Sequence, residues 1–315
     1  MTAHAARAAL ATEAAGISFQ NPVLLASGTA AYGRELDDAI DLDALGGLVT
    51  KATSPLPRAG APAMRVAEFA GGMLNAVGLA NPGVEAVRRD ELPWLASHLR
   101  AARVLVNVVG DTVEDYATVV RALADAPGAH GFELNVSCPN VKAGGMEFGA
   151  DPRALADVVR GARAATARPL FVKLSPALAD IGAAARTAID AGADAITVIN
   201  TMPGTTIDVA TRTPTLGFGR GGVSGPGLLP IGVLAVRKVR AAIPARVPVC
   251  GVGGIATADD ALQYLMAGAS LVQVGTAAMR DPHAPGRIVR GLAAWCERER
   301  VARLADVVGC VEWPA

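Results

Sequence analysis

The chain passes, at residues 132–140, from a strand-like segment, Phe132 to Leu134, into the polar hexapeptide Asn135-Val136-Ser137-Cys138-Pro139-Asn140. Proline interrupts the hydrogen-bond ladder of a strand and asparagine tolerates turns, so the strand is expected to end where the hexapeptide begins. A buried strand that ends in such a loop directs polar side chains toward whatever binds there. This stretch therefore predicts a functional loop at a strand end, with Cys138 as a candidate reactive thiol.

The same transition from a strand to a polar position recurs along the chain. Short apolar runs predict eight strands, at residues 22–26, 47–49, 104–106, 132–134, 170–172, 195–199, 247–252 and 271–274. The positions at or just past their ends are Ser27, Lys51, Asn107, Asn135, Lys173, Asn200, Gly253 with Gly254, and Gly275 with Thr276. In a (β/α)8 TIM barrel the carboxyl ends of all strands meet on one face. We therefore predict this α/β fold, with a single pocket lined by these residues.

The connections between the strands are of two kinds. Thr112 and Thr257 precede apolar residues at helical spacing and predict helix starts. Residues 52–95 and 201–228 are too long for plain connections and predict elaborated loops at the C-terminal face, the second a candidate lid. We predict a single barrel domain over residues 1–315, with residues 1–16 as a flexible N-terminal tail.

Composition excludes several classes of function. Lysine plus arginine balance aspartate plus glutamate at 29 each, so no global field attracts nucleic acid. No apolar run reaches the about 18 residues that a membrane span needs, and residues 1–16 lack the apolar core of a signal peptide. The cysteines, Cys138, Cys250, Cys296 and Cys310, form no CxxC pair. Their spacing argues against a disulfide framework and against a metal or iron–sulfur site built by this chain, and favours the cytoplasm.

The predicted strand ends carry groups suited to an anionic ligand. Glycines at residues 251–254 and at Gly275 lie where barrels commonly hold a phosphate through backbone N–H groups. Lys51 and Lys173 lie in a set of strand ends without an acidic residue, so their charge is available to an anion. Such a lysine can stabilise negative charge that develops on a flavin, or hold a substrate carboxylate. The alternative is that each extends its ammonium group to solvent at the barrel rim.

The asparagines and Cys138 indicate the kind of ligand and of chemistry. Asparagine offers donors and acceptors that suit a planar, amide-rich heterocycle, although single asparagines are most often turn formers; the set is Asn75, Asn107, Asn135, Asn140 and Asn200. A free cysteine is commonly a small buried hydrophobe, the fate we expect for Cys250. The polar surroundings of Cys138 instead favour an exposed thiol, as nucleophile or base. No histidine lies near it in a motif, which favours the base.

Several motifs together resemble dihydroorotate dehydrogenases over roughly residues 18–283. They are residues 21–29, 72–85, 135–140, 172–176, 222–226 and 272–276. The resemblance implies an FMN-binding barrel that oxidises dihydroorotate to orotate in pyrimidine biosynthesis. Cys138 would take the proton from C5, while hydride leaves C6 for the flavin.

The resemblance also implies roles for residues of this chain. Residues that match substrate contacts are Lys51, Asn75, Ala76, Val77, Gly78, Leu79, Asn135, Asn140, Asn200 and Thr201. Residues that match FMN contacts are Ser27, Lys51, Ala52, Asn107, Asn135, Lys173, Ile199, Gly225, Gly253, Gly254, Gly275 and Thr276.

The resemblance extends to a subclass. The cysteine in place of a serine base indicates class 1, whose members are soluble. Residues 140–149 are most similar to the class 1B catalytic subunit, which works with a second subunit that carries FAD and a [2Fe-2S] cluster and reduces NAD, rather than to the fumarate-using homodimers. We therefore expect a homodimer core, extended to a heterotetramer with the electron-transfer subunit.

Two other functions remain open from the sequence. A related flavin barrel would oxidise or reduce another dihydropyrimidine. A barrel lyase would use Lys173 to form a Schiff base with a carbonyl substrate.

Overall fold

A computed structural model describes residues 8–137, 139–140 and 146–314 of the chain. The strands, in chain order, are β1 (Thr12–Ala14), β2 (Ile17–Phe19), β3 (Val23–Leu25), β4 (Gly47–Val49), β5 (Val66–Phe69), β6 (Gly72–Asn75), β7 (Arg103–Val108), β8 (Gly131–Asn135), β9 (Pro139–Asn140), β10 (Met146–Glu147), β11 (Leu170–Leu174), β12 (Ala195–Val198), β13 (Met202–Gly204), β14 (Ile207–Asp208), β15 (Thr213–Pro214), β16 (Gly221–Ser224), β17 (Val249–Val252) and β18 (Leu271–Val274). The helices are α1 (Val84–Ala86), α2 (Leu92–His98), α3 (Val113–Leu123), α4 (Pro152–Ala165), α5 (Ile181–Asp190), α6 (Leu229–Ala242), α7 (Ala258–Met266), α8 (Thr276–Arg280) and α9 (Ala284–Arg298), and a π-helical segment, Val87–Glu91, joins α1 to α2.

Eight parallel strands close into a barrel in the order β3, β4, β7, β8, β11, β12, β17 and β18, with β18 pairing back onto β3. Each contains part of one of the runs that predicted a strand, so the predicted TIM barrel is confirmed. The parallel register sets Asn135 of β8 opposite Lys173 of β11. Residues far apart in sequence are thereby brought to one end of the barrel.

Side chains alternate between the outside and the inside of the barrel along each strand, because successive residues of a strand point to opposite faces. On β8, Phe132 and Leu134 belong to the large core beneath the helices. A second cluster fills the lower interior and is called the apolar floor here. Its barrel members are Leu24, Val49, Leu105, Phe171, Ala195, Cys250 and Leu271.

The antiparallel hairpin of β1 and β2 packs against the apolar floor. Its residues Ala14, Ile17 and Phe19 are buried and belong to the same cluster. The prediction of a flexible tail over residues 1–16 is therefore wrong for residues 12–16. Three apolar side chains of the hairpin would lose their burial if this segment left the barrel.

The helices begin as their sequence signals predict. The Thr112 and Thr257 side chains cap α3 and α7, each accepting a hydrogen bond from the backbone N–H of an aspartate three residues later. Each aspartate carboxylate in turn accepts the backbone N–H of the capping threonine, which completes a capping box. Helix α7 ends at Met266, two residues before Gly268, whose φ of 117° suits glycine. No helix within the described residues is long and apolar enough to cross a membrane.

The two long connections fold against each other. They contribute β5 and β6, and β13 and β16, to one antiparallel sheet in the order β13, β16, β6, β5. Asn75 of β6 lies opposite Gly222 of β16 in this sheet. The predicted elaborated loops are confirmed, and they form a regular structure beside the strand ends. Whether residues 201–228 close over a ligand stays a prediction.

Candidate active site

A cavity of about 590 Å³ lies between the carboxyl ends of the barrel strands and the added sheet. Most of the predicted site residues line it. They are Ser27, Lys51, Ala52, Asn75, Ala76, Val77, Gly78, Leu79, Asn135, Lys173, Ile199, Asn200, Thr201, Gly225, Gly253, Gly254, Gly275 and Thr276. The structure thus brings the predicted substrate residues and the predicted cofactor residues into one space.

Three of the predicted residues stand apart from that set. Asn107 is fully buried and is not among the lining residues; its Nδ2 donates to Glu133 Oε1 at 2.9 Å. Cys138 and the side chain of Asn140 lie outside the described residues. The backbone of Asn140 is described, and it pairs with Met146 between β9 and β10.

Two of the asparagines form a connected amide pair at the strand ends. Asn200 Nδ2 donates to Asn135 Oδ1 at 3.1 Å, and Asn200 Oδ1 accepts the backbone N–H of Thr201 at 2.8 Å. The Tyr116 hydroxyl donates to the Asn135 carbonyl at 2.8 Å and anchors the end of β8. These bonds fix the amide orientations before any ligand binds, which reduces the cost of ordering the site on binding.

The third lining asparagine comes from the added sheet. Asn75 Nδ2 donates to the carbonyl of Gly222 at 3.2 Å, across the pair of β6 and β16. A Cβ atom at Gly222 would lie 2.1 Å from Thr201 Oγ1, so this glycine also lets Thr201, from the same connection, lie directly against β16. The predicted substrate residues Asn75 and Thr201 therefore both contact Gly222.

Glycines form another part of the cavity lining. Gly225, Gly253 and Gly254 have φ angles of 105°, 128° and 75°, which side chains other than glycine rarely adopt. A Cβ atom at Gly254 would lie 2.5 Å from the backbone nitrogen of Leu229. Backbone with these conformations can approach a ligand closely, which is what the predicted phosphate site requires.

The two lysines have different surroundings. Lys173 is 6 % exposed, and its Nζ lies 3.9 Å from Glu133 Oε1. Lys51 is partly exposed, and no ion pair of its side chain occurs within the described part of the chain. Lys173 is too buried to extend its ammonium group to solvent at the rim, and both lysines line the cavity.

Sequence reasoning missed Glu133. No acidic residue lies at a strand end, as the sequence indicated, but the Lys173 charge is not wholly available to a ligand, because Glu133 is fully buried inside the barrel beside it. Gln273 Nε2 donates to Glu133 Oε2 at 2.7 Å and was missed as well. Both residues lie within strand segments that were predicted from their apolar neighbours. Glu133 lies two residues before the end of β8 and Gln273 one residue before the end of β18, and the sequence carried no signal for the inward direction of either side chain.

The environment of Cys250 agrees with a structural cysteine. It is fully buried in the apolar floor. Burial chiefly raises the pKa of its thiol; the Glu133 charge adds to the rise, while Lys173 and Gln273 oppose it. A neutral thiol is a poor nucleophile, so Cys250 is a core residue as predicted.

The site fits the predicted flavin nucleotide on observations of this structure. A buried cation, Lys173, meets the cavity. Gly225, Gly253 and Gly254 bring bare backbone to the cavity, because at each of them a Cβ atom would meet protein atoms packed behind it.

Comparisons with known proteins agree with the geometry. The family model described as dihydroorotate dehydrogenase matches residues 9–295. The dihydroorotate dehydrogenase B (NAD(+)), catalytic subunit, of Pelobacter propionicus is 46 % identical over 298 residues, covering 95 % of this chain and 97 % of its own.

Two further relatives are similar in extent. The protein of the same name from Geotalea uraniireducens is 44 % identical over 302 residues, covering 96 % of this chain and 98 % of its own. The putative dihydroorotate dehydrogenase A (fumarate) of Solibacter usitatus is 49 % identical over 304 residues, covering 96 % and 99 %. The relatives' names agree on dihydroorotate and differ in the electron acceptor. The chain therefore belongs to the dihydroorotate dehydrogenase family.

Proposed function

We propose that this protein is an oxidoreductase that oxidises (S)-dihydroorotate to orotate in pyrimidine biosynthesis, as an FMN-dependent class 1B catalytic subunit. The observation that carries the proposal is the convergence of Asn75, Asn135, Asn200, Lys51 and Lys173 on one cavity of about 590 Å³. Four of them lie at or near the ends of four different barrel strands and Asn75 lies in the added sheet, so proximity along the chain does not explain the convergence. The family membership supports the same reaction.

The chain supplies a binding wall for FMN. Glycine backbone at Gly225, Gly253, Gly254 and Gly275 would hold the phosphate, and Ser27 and Thr276 add hydroxyl groups at the same end. The Thr276 hydroxyl donates to Ser224 Oγ at 2.8 Å, which fixes its orientation. When bound, FMN supplies the acceptor for the hydride that leaves C6 of the substrate. Lys173 would stabilise negative charge that develops on the flavin ring.

Three side-chain amides and Lys51 would hold the substrate. Dihydroorotate carries ring N–H and C=O groups, which the amides of Asn75, Asn135 and Asn200 complement with donors and acceptors. Lys51 would pair with the substrate carboxylate at the more open part of the cavity. Asn140 would complete the set, on the basis of the motif in residues 135–140.

Cys138 would be the base that abstracts the C5 proton. Its thiolate form is the competent one, and the following proline and asparagine make its neighbourhood polar. The sulfur atom would take the proton from C5, and with loss of hydride from C6 the product would carry the C5–C6 double bond of orotate.

Electron transfer beyond FMN would require a partner. The names of two relatives contain the words catalytic subunit and NAD(+), and we propose the same organisation here, with FAD and a [2Fe-2S] cluster on the partner. A homodimer of single-domain chains, joined to two partner chains as a heterotetramer in the cytoplasm, is the assembly we propose.

An anaerobic titration of the purified, yellow protein tests the proposal. Dihydroorotate should bleach the flavin absorbance, whereas dihydrouracil and dihydrothymine should leave it unchanged. NAD and fumarate are then added separately, with and without a co-expressed partner subunit. Reoxidation by NAD that depends on the partner supports the class 1B assignment, and direct reoxidation by fumarate contradicts it.

Other outcomes of the same experiment would favour other functions. Bleaching by dihydrouracil and not by dihydroorotate would identify a different dihydropyrimidine as substrate. A colourless protein that borohydride links to a carbonyl compound through Lys173 would favour the lyase and would contradict the flavin proposal altogether.

A further inference from the structure

Glu133 is a fully buried carboxylate inside the barrel, held by side chains of three other strands. Its Oε1 accepts from Asn107 Nδ2 at 2.9 Å and its Oε2 accepts from Gln273 Nε2 at 2.7 Å. Lys173 Nζ lies 3.9 Å from Oε1. These four residues are called the inner carboxylate cluster.

The inner carboxylate cluster reaches the cavity through one member. Lys173 lines the cavity, whereas Asn107, Glu133 and Gln273 are fully buried and do not. The ammonium group therefore has a carboxylate on its buried side and the proposed FMN site on its open side. Because Lys173 lies between them, a negative charge on Glu133 affects a bound ligand mainly by changing the net charge at Lys173.

The hydrogen bonds of the cluster favour a role beyond stability. Both amides direct their NH2 groups at Glu133, and this leaves Asn107 Oδ1 and Gln273 Oε1 buried without a donor in the described part of the chain. Buried acceptors without partners are uncommon because each one costs stability. An interior of apolar side chains would avoid the cost of the carboxylate and of both orphaned oxygens.

The charge balance around Lys173 depends on this carboxylate. Glu133 is the acidic residue within ion-pair distance of Lys173 among the described residues. In a low-dielectric interior an ion pair is screened far less than at the surface. A negative charge that develops on a ligand competes with Glu133 for the same ammonium group.

We infer that Glu133 is a positioning residue that holds the Lys173 ammonium group at the inner end of the cavity and offsets part of its charge, and so lowers the reduction potential of the bound flavin. The inference rests on the proposed FMN site. With Glu133 in place, Lys173 is already partly neutralised before reduction. Without that charge, reduction of the flavin would gain a fuller pairing with Lys173 and would become more favourable.

The Glu133→Gln variant tests this inference, because it removes the charge and keeps the shape. The FMN-loaded full chain is titrated spectroelectrochemically at fixed pH, and the two-electron midpoint potential of the flavin is measured. We expect the midpoint potential of the variant to be about 30 mV higher than that of the parent protein. This corresponds to a tenfold change in the two-electron reduction equilibrium. An equal or a lower potential overturns the inference.

Two further variants separate the cluster from a general disturbance of the barrel interior. Cys250→Ala alters a neutral buried side chain in the floor next to the cluster and should leave the potential unchanged. In a Lys173→Met background, Glu133→Gln should change the reduction equilibrium of the flavin by less than threefold, because Glu133 acts through Lys173. A full tenfold shift in that background would show that Glu133 acts on the flavin directly and would overturn the positioning role.

A variant that keeps the charge covers the case in which Glu133→Gln does not fold. Glu133→Asp withdraws the carboxylate by one methylene and should raise the potential in the same direction by a smaller amount. If Glu133→Gln does not fold, an unchanged potential in Glu133→Asp overturns the inference. Failure of the parent protein to bind FMN or to bleach with dihydroorotate would instead contradict the proposed function. If dihydroorotate bleaches the parent protein but the variants have the parent's flavin potential, the inference is contradicted and the proposed function is not.

Discussion

The lower and upper levels of the barrel interior differ in composition although the same strands build both. The lower inward residues of β7, β11 and β18 are Leu105, Phe171 and Leu271. Two residues later, these strands carry Asn107, Lys173 and Gln273. All six are buried, so burial does not separate the levels. What separates them is the distance to the ligand cavity.

The difference indicates how one strand serves two purposes. Residues of the apolar floor gain stability from burial and from the close packing of the hairpin side chains Ile17 and Phe19. Residues of the inner carboxylate cluster cost stability and arrange charge beneath the ligand. In TIM barrels the end of the strand that carries the active site is the C-terminal one, which matches this order. Substitutions at the two levels should therefore affect different measurements.

The largest effect is expected at Cys138, the proposed base. Cys138→Ser replaces a thiol of ordinary pKa about 8.5 by a hydroxyl that ionises far less readily. The rate of flavin reduction by dihydroorotate should fall by about 10²–10⁴-fold at neutral pH, the usual contribution of a general base. The pH at which the rate is greatest should rise. Anaerobic stopped-flow across a pH series measures both, and an unchanged single-turnover rate would exclude Cys138 as the base.

Substitutions in the apolar floor should change the free energy of unfolding rather than the properties of the flavin. Phe171→Ala removes a fully buried side chain of the apolar floor, at a cost of about 3–5 kcal/mol in the free energy of unfolding. Urea unfolding measures the loss. The flavin potential of the folded fraction should equal that of the parent. A shift in potential as large as that of a cluster variant would show that the two levels are not independent.

Lys173 should show the opposite pattern. Lys173→Met keeps the buried stem and removes the charge that faces the cavity, so flavin reduction should slow by about 10²–10³-fold, or about 2.7–4 kcal/mol in the barrier. The flavin potential should fall and FMN should dissociate more readily. Equilibrium dialysis of FMN and rapid-mixing kinetics test these outcomes. Lys238→Met, on the outer helix α6, is the matched control for loss of one positive charge.

Sequence alone predicted the barrel because its eight strands are short apolar runs with polar residues at their ends. Lys51, Asn135, Lys173 and Asn200 follow from that pattern, and the structure brings them to one cavity. Their roles toward FMN and dihydroorotate stay proposals. The pattern succeeds because parallel strands buried on both faces have nearly continuous apolar sequences.

The same property explains what the sequence concealed. Glu133 and Gln273 lie inside apolar runs, and a strand that is buried on both faces shows no alternation to mark which side a polar residue takes. Asn107 was predicted as a cofactor contact, but its amide is engaged by Glu133, a pairing across 26 positions that no local signal encodes. The hairpin was missed because its two strands have three residues each, in an alanine-rich segment.

The smallest effect is expected at the opposite end of the barrel from the site, at His130 just before β8. Its Nδ1 accepts the backbone N–H of Val104 at 3.1 Å, and burial, with Arg103 and Arg168 nearby, lowers the pKa of its imidazole. The unfolded chain therefore takes up a proton at a higher pH than the folded chain does. Stability from neutral His130 is complete above the unfolded pKa of about 6.5 and is lost as the pH falls through the folded pKa.

His130→Asn keeps an acceptor for Val104 and removes the titration. Between pH 8 and pH 5 its free energy of unfolding should decline less than that of the parent, by about 1 kcal/mol or less. Urea midpoints at several pH values measure the two slopes. The flavin potential should not change, because the lower end of the barrel does not face the cavity. Parallel pH curves would contradict the depressed pKa, and a changed potential would show that charge at the lower end reaches the site through the apolar floor.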